Sequence, residues 1–242
     1  SLRLAMWGVA IGVAVLSTYG LAATGLLDLD QTLYLSRAWN PLSSIIGGLM
    51  FGYGMALAGN CGYGALARLG GGDLRSFLIV LVMGISAYVT LNGPLSGLRI
   101  WAFGGPQPVT QTPSYAQAFA SMSGLPAATI GIAIGALVLA GTLLRRDLRA
   151  NLSYVLWGGI VGLCITAGWA GTSWVAANGF DATAVVSHTF SAPLGETLIY
   201  TMTSSGNYVT FGTGSVFGVV LGAVLGSVLK GHFRWEACDD PR

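Results

Sequence analysis

The sequence predicts an all-α, polytopic transmembrane helix bundle with about six spans, and three observations support this. Of its 242 residues, 53% are hydrophobic and only 8% are charged, with a mean hydropathy of +0.69, whereas a soluble domain averages about 25% charged residues. The apolar residues fall in runs close to the roughly 20 residues with which a helix crosses a bilayer. The 37 glycines suit membrane helices, because small residues let their backbones approach closely. A single integral membrane domain over residues 1–242 is therefore predicted.

Six apolar segments are predicted to cross the membrane. Pro41 suits the first turn of the second segment, and Asp73 is a good N-cap for the third. The polar or proline-rich connectors over residues 28–40, 102–126 and 175–206 are interpreted as external regions without spans. The predicted crossings are Leu4–Leu27, Leu42–Ala58, Leu74–Leu91, Ala127–Leu144, Leu152–Trp174 and Phe211–Leu229.

The placement of positive charge predicts the orientation of these spans. Lys and Arg accumulate in cytoplasmic loops, and the strongest basic cluster is Arg145–Arg149. Placing this cluster in the cytoplasm puts Arg68, Arg75 and Lys230 there as well, and it leaves the external connectors poor in Lys and Arg. Both ends of the chain are therefore predicted to be cytoplasmic.

A polar, glycine-dense interruption over residues 59–72 separates the second and third apolar segments. The second segment, Leu42–Ala58, is short for a full crossing. In lipid, non-helical backbone persists only where protein or a water-filled cavity surrounds it. Broken or re-entrant segments of this kind are typical of transport sites.

Five residues of the interruption are candidates for binding a small anion. If residues 62–69 form a short helix, its first N–H groups are free and its dipole is positive there, which favours an anion. Cys61 would lie at that positive end, where a thiol donates and a thiolate is stabilised. Gly62 and Gly64 lack a Cβ, so a ligand could approach the backbone. Asn60 could donate its amide, and Arg68 adds a cation about two turns further on.

The same residues also have purely structural explanations, which the sequence leaves open. Gly-rich turns in membrane proteins serve helix packing, and a lone buried cysteine such as Cys61 commonly behaves as a small hydrophobe. Asn60 tolerates a left-handed turn. Arg68 could extend to the lipid headgroups instead.

The stretch Ala58–Ser76, with its approach Gly47–Met55, resembles the first signature of the YeeE/YedE family of sulfur-transport membrane proteins. Members show a Gly-Cys turn, a Gly-rich step, then Leu-Ala-Arg-Leu, and Arg-Ser at the start of the next helix. The resemblance implies uptake of a small sulfur oxyanion, thiosulfate in the best-understood branch, with the motif cysteine contacting it. The matching residues here are Asn60-Cys61-Gly62, with Asn60 in place of the usual glycine, Leu66-Ala67-Arg68-Leu69 and Arg75-Ser76.

The resemblance also implies that this chain is one part of an inverted-repeat transporter. Members commonly contain two such signatures, one in each half. Residues 1–99 include the first signature and residues 100–242 contain the remaining spans, so the second signature is expected after residue 242. Either the natural chain is longer, which we favour, or a separate chain supplies that half. Inverted repeats place the substrate near the bilayer midplane, at the repeat interface.

Four other residues receive a structural interpretation first. Cys164 is interpreted as a packing residue of the fifth span. Cys238 is interpreted as an incidental exposed thiol beside two aspartates, although it could meet a soluble sulfur carrier. Glu196 lies in a stretch that resembles a recurring family element, and its alternative role is helix capping. His188 is interpreted as a solvated loop residue without a role in proton transfer.

The sequence therefore predicts a permease for a small sulfur-containing anion in the bacterial inner membrane. It contains no nucleophile–base pair, metal-ligand cluster or phosphate-binding loop, and no basic cluster that binds nucleic acid. No enzyme activity, metal or cofactor is predicted. Expected partners are the oxyanion, membrane lipid, and a soluble cytoplasmic sulfur carrier or other membrane subunits. Two alternatives stay open: a structural or accessory subunit of a larger membrane complex, and a membrane partner in sulfur or selenium transfer.

Overall fold

The computed structural model describes residues 2–35, 40–104, 114–180 and 183–236, and over these ranges the protein is helical. Two short 3-10 turns and two isolated β-bridges are the other regular features there. The predicted all-α, polytopic membrane fold is confirmed. In chain order the α-helices are α1 (Leu2–Ala23), α2 (Pro41–Ala58), α3 (Gly62–Gly70), α4 (Leu74–Leu91), α5 (Ser96–Phe103), α6 (Tyr115–Ser123), α7 (Ala127–Leu143), α8 (Arg146–Arg149), α9 (Leu152–Asn178), α10 (Ala192–Met202) and α11 (Phe211–Leu229).

Five helical stretches of the described ranges are long and apolar enough to cross a membrane. They are α1, α4, α9, α11, and α2 with α3 taken together over Leu42–Gly70. The fourth predicted span is α7, which has only 17 residues. It reaches spanning length together with α6, and these two helices bend by 118° at their junction. The count is therefore five spans, or six with the bent pair.

The connectors interpreted as external loops contain helices that were not predicted. α6 lies within residues 102–126 and α10 within residues 175–206, and they have only 9 and 11 residues. Capping and packing explain them, since Ser114 Oγ accepts the N–H of Gln117 at the start of α6 and Leu194 of α10 is buried. Residues 36–39, 105–113 and 181–182, which also belong to the predicted connectors, lie outside the described residues.

One compact unit comprises Ser1–Trp39 and Pro108–Ser187, and in it α1 packs against α7 and α9. A Cβ on Gly162 of α9 would lie 2.7 Å from a backbone carbonyl oxygen of α1, so this contact requires glycine. The hydroxyls of Ser17 and Thr166 are 2.6 Å apart and link α1 to α9. The glycine content of the sequence predicted close helix contacts through small residues, and α1 and α9 meet in this way.

The second compact unit comprises Asn40–Gln107 and His188–Arg242, and it contains the interruption. Here the short helices α3 and α10 both pack against the longer α4 and α11. A Cβ on Gly70 of α3 would lie 2.7 Å from a carbonyl oxygen of α11, and one on Gly84 of α4 would lie 3.1 Å from a carbonyl oxygen of α10. The buried core of this unit consists of Ala65, Leu66, Val80, Leu194 and Val216.

Candidate functional site

The predicted interruption is present between α2 and α3. α2 ends at Ala58, and Gly59 has a left-handed conformation with φ of 67°, which favours glycine at a helix C-terminus. Cys61 is extended and forms the N-cap of α3. The short helix expected over residues 62–69 runs to Gly70. Non-helical backbone therefore lies inside the 29-residue candidate span Leu42–Gly70.

The side chain of Cys61 caps the first turn of α3. Its Sγ accepts a hydrogen bond from the backbone N–H of Gly64 at 3.4 Å, and its carbonyl accepts the N–H of Ala65 at 2.8 Å. The thiol is half-buried and lies at the positive end of the helix dipole. This position favours an anion bound next to the thiol, while the S–H group can still donate.

Asn60 folds its side-chain amide back over the same turn. Its Oδ1 accepts the backbone N–H of Cys61 at 3.2 Å. Its Nδ2 is buried and has no hydrogen-bond partner among the described residues. A buried donor without an acceptor costs about 1–3 kcal/mol, and most such groups in proteins are paired with protein or water. The turn therefore offers an unused N–H donor beside Cys61.

Gly62 and Gly64 make room for protein atoms at this turn. A Cβ on Gly64 would overlap the side-chain amide of Asn60, and one on Gly62 would lie 2.9 Å from Met83 Cε and 3.3 Å from the carbonyl oxygen of Phe190. From the sequence, these glycines were expected to admit a ligand to the backbone. The structure indicates close packing of the turn at both positions, and Gly64 permits the conformation of Asn60.

Arg68 lies at the opposite end of α3 from Cys61, about 10 Å away along the helix axis. It lines a separate cavity of about 320 Å³ with Arg234, His232 and Asp73, among others. The structure thus brings Asn60, Cys61, Gly62 and Gly64 together but places Arg68 outside that turn. Its charge acts on the turn only over this distance.

A segment after α11 lines the same cavity and pairs with the turn between α3 and α4. The N–H of Arg234 donates to the carbonyl of Gly71 at 3.2 Å, and the N–H of Glu236 donates to that of Gly72 at 3.1 Å.

Asp73 is the N-cap of α4, as predicted, and accepts the N–H of Arg75 at 3.0 Å. Partial burial acts to raise the pKa of Asp73, but hydrogen bonds from Ser76 and the backbone, with the charge of Arg68, lower it below its ordinary value. Asp73 is therefore ionised at neutral pH.

His188 is not the solvated loop residue that the sequence analysis expected. It is half-buried, its Nδ1 lies 2.6 Å from Ser215 Oγ, and its ring is stacked with Phe190 and tilted against Phe211. The expectation failed because Ser215 is 27 residues away in sequence, so no local pattern shows the pairing. One signal was available: an ionisable residue in a largely apolar membrane chain is a functional candidate by default.

The remaining candidates are distributed over both units. Glu196 lies in α10, and its Oε2 accepts the hydroxyl of Thr210, which is the N-cap of α11. Glu196 therefore supports a helix N-terminus, in agreement with its capping interpretation. Cys164 is an exposed residue of α9, so it is not packed within its own unit as expected. Cys238 lies outside the described residues.

Comparison with known proteins defines the class of this protein. A protein-family model described as sulphur transport matches residues 1–242, and the chain therefore belongs to the sulphur transport family. This confirms the family expectation from the signature around Cys61. With its candidate spans, the chain is a multi-pass membrane protein of the sulphur transport family.

A curated relative matches part of this chain. The thiosulfate transporter TsuA of Spirochaeta thermophila is 33% identical to this chain over 97 residues. The matched stretch covers 39% of this chain and 28% of that protein. The chain therefore spans less than a third of the length of this relative.

Proposed function

We propose that this chain binds a small sulfur-containing anion, thiosulfate in the first instance, and conducts it across the membrane through the turn before α3. The observation that carries the proposal is the buried Asn60 Nδ2, which has no partner among the described residues and lies in the same turn as the half-buried Cys61 thiol. Membership in the sulphur transport family and the similarity to a thiosulfate transporter support the choice of substrate class.

The turn offers groups that match the chemistry of thiosulfate. Its oxygens accept hydrogen bonds, and the Asn60 amide would donate to one of them. Its terminal sulfur also bears negative charge, and the S–H of Cys61 would donate there. Because a bare charge is costly to move into an apolar medium, donors already oriented by the helix would replace part of the anion's hydration. Arg68 would add positive potential from the far end of α3.

The proposed transport also implies a location, an orientation and partners for the protein. We place the protein in the bacterial inner membrane with both termini of this chain in the cytoplasm, because that orientation puts the Arg145–Arg149 cluster inside. Membrane lipid surrounds the spans. A soluble sulfur carrier or other membrane subunits would receive the anion on the cytoplasmic side. Transport in this form needs no covalent step, so we assign no enzyme activity.

Uptake of labelled thiosulfate by vesicles containing the intact protein tests the proposal. We expect Cys61→Ala and Asn60→Ala each to reduce initial uptake at least ten-fold, because each removes a donor from the turn. Cys164→Ala is the matched control: it removes a thiol that is exposed on α9, and uptake should stay near the wild-type rate. Wild-type uptake by well-folded Cys61→Ala would remove this turn from the mechanism. Absence of uptake by the wild-type protein would reject thiosulfate as the substrate.

A further inference from the structure

His188 lies among groups that suit a change in its charge. The hydroxyl of Ser215, 2.6 Å from His188 Nδ1, is itself only 9% exposed. A serine hydroxyl can donate to a neutral imidazole nitrogen or accept from a protonated one. The hydrogen bond between these two atoms can therefore form in both protonation states.

The aromatic rings around His188 can also interact with its protonated form. The ring centroid of Phe211 lies 5.0 Å from that of His188, within the range over which an aromatic ring attracts a cation. Phe190 stacks on the imidazole with an angle of 8° between the rings. The two rings also fix the orientation of the imidazole. The Ser215 hydroxyl and the two rings can therefore accommodate either protonation state of the imidazole.

The segment containing His188 adjoins the proposed anion site. The carbonyl oxygen of Phe190 lies against Gly62, where a Cβ would approach it to 3.3 Å. The rings of Phe190 and Tyr63 are 5.3 Å apart, so this segment packs on the first turn of α3. Only Thr189 separates His188 from the residue that contacts that turn.

We propose that His188 is the proton-binding residue of the anion site, and that the anion binds more tightly when His188 carries a proton. This inference rests on the proposed function and extends it to proton-coupled anion binding. The proton comes from the solvent and binds a ring nitrogen, and no other bond forms or breaks. The imidazolium would offset part of the anion's charge, and the two charges interact more strongly the less water separates them.

None of the helices α3, α4, α10 and α11 contains a histidine. α11 contains no titratable side chain, and Glu196 of α10 is engaged with Thr210. Histidine is the side chain that ordinarily changes charge between pH 5 and 8. The titratable or charged residues on α3, α4 and α10, with the preceding caps, are Cys61, Tyr63, Arg68, Asp73, Arg75, Tyr88, Glu196 and Tyr200.

The test is thiosulfate binding to the intact purified protein between pH 5.5 and 8.5, by titration calorimetry. Because binding and protonation are reciprocally linked, the wild-type affinity for thiosulfate should fall by up to ten-fold per pH unit once the pH exceeds the midpoint at which His188 loses its proton in the free protein. His188→Gln should show an affinity that changes less than two-fold over the range. His232→Gln is the matched control, since the chain has two histidines and His232 lines the other cavity. It should keep the wild-type profile.

A second measurement covers the case in which His188→Gln does not fold. In the His232→Gln protein, the one remaining imidazole signal in a proton NMR titration belongs to His188. Saturating thiosulfate should move its midpoint to higher pH, whereas a signal that does not move would overturn the inference. A folded His188→Gln protein with the wild-type pH profile would overturn it as well, and would leave the proposed function in place. Failure of the wild-type protein to bind thiosulfate at any pH would instead reject the proposed function.

Discussion

Asn60 and Gly64 fit together at the turn before α3 because glycine has no Cβ. The Asn60 amide occupies the space that a side chain at position 64 would need, and its Oδ1 accepts the N–H of Cys61. In this arrangement Nδ2 has no hydrogen-bond partner among the residues that the structure describes. The two residues are thus coupled: one supplies the donor and the other permits its position.

Gly64→Ala should therefore weaken both the fold and anion binding. Inserting a methyl group into a packed site costs about 1–3 kcal/mol, and here it would displace the Asn60 amide. In an Asn60→Gly background the same substitution should cost much less, which gives a coupling energy of about 0.5–3 kcal/mol between the two positions. Thermal unfolding in detergent measures this cycle. Gly52→Ala on α2, where a Cβ would have no atom within 4 Å, is the control.

Equal losses of stability for Gly64→Ala with and without Asn60 would contradict this account. They would show that the glycine serves the helix backbone rather than the neighbouring amide.

Single residues also mark the limit of what the sequence could predict. The glycine and cysteine pattern correctly placed Cys61 at the start of a short helix, because caps and turns depend on neighbouring residues. It could not show that Asn60 Nδ2 is buried, or that His188 meets Ser215, because both facts depend on tertiary packing. Gly62 and Gly64 were recognised as important, but the atoms that they accommodate come from Asn60 and from distant segments.

At the scale of elements, α3 is too short to be stable by itself, since isolated helices under about 12–15 residues are marginal. Its stability comes from burial of Ala65 and Leu66 in the core of its unit and from close contact of Gly70 with α11. Packing of α3 on α11 thus fixes the position of the turn at Cys61.

Gly70→Ala should separate α3 from α11 and lower the thermal unfolding temperature. Its Cβ would lie 2.5 Å from that of Ala223 and 2.7 Å from the carbonyl oxygen of Val220, and a backbone atom cannot yield as a flexible side chain does. We expect a cost of about 1–3 kcal/mol, with loss of thiosulfate uptake. Gly226→Ala on α11 is the matched control because its Cβ would meet nothing within 4 Å. An unchanged melting temperature for Gly70→Ala would refute the role of this contact.

Short helices were the elements that the sequence predicted least well. The long apolar helices α1, α4, α9 and α11 were evident from hydropathy, because length and composition suffice to define a span. α10 was interpreted as loop because 11 residues carry too weak a signal. Its contact with α4, where Gly195 lies against Gly84 and Tyr88, comes from residues far apart in sequence. The interruption at residues 59–72 was found because its glycines and charge contrast with the apolar runs on both sides.

At the scale of the whole molecule, hydropathy gave the spans but not their grouping. The helices form two units, each assembled from two separate stretches of chain. No composition change marks these boundaries, so the sequence could not show that residues 40–107 group with residues 188–242. The charge pattern does make one prediction for the entire chain, namely its orientation.

Labelling of single cysteines from each side of the membrane should test that orientation. α9 is a 27-residue candidate span that separates Asp147 from Phe180, and both residues are exposed. In a background without native cysteines, Asp147→Cys should react only with reagent on the cytoplasmic side and Phe180→Cys only with reagent outside. The reverse pattern would invert the predicted topology, and labelling of both from one side would show that α9 does not cross.

The most direct measurement of the central claim is protection of Cys61 by its proposed ligand. The rate of alkylation of Cys61 by a maleimide should fall saturably as thiosulfate is added to the intact protein, because the anion would occupy the turn before α3. A protein whose single cysteine is Asp147→Cys, in α8 and exposed, serves as the control, and its rate should stay constant and correct for any reagent consumed by thiosulfate. A Cys61 rate that tracks that of this control at every thiosulfate concentration would contradict binding at this turn.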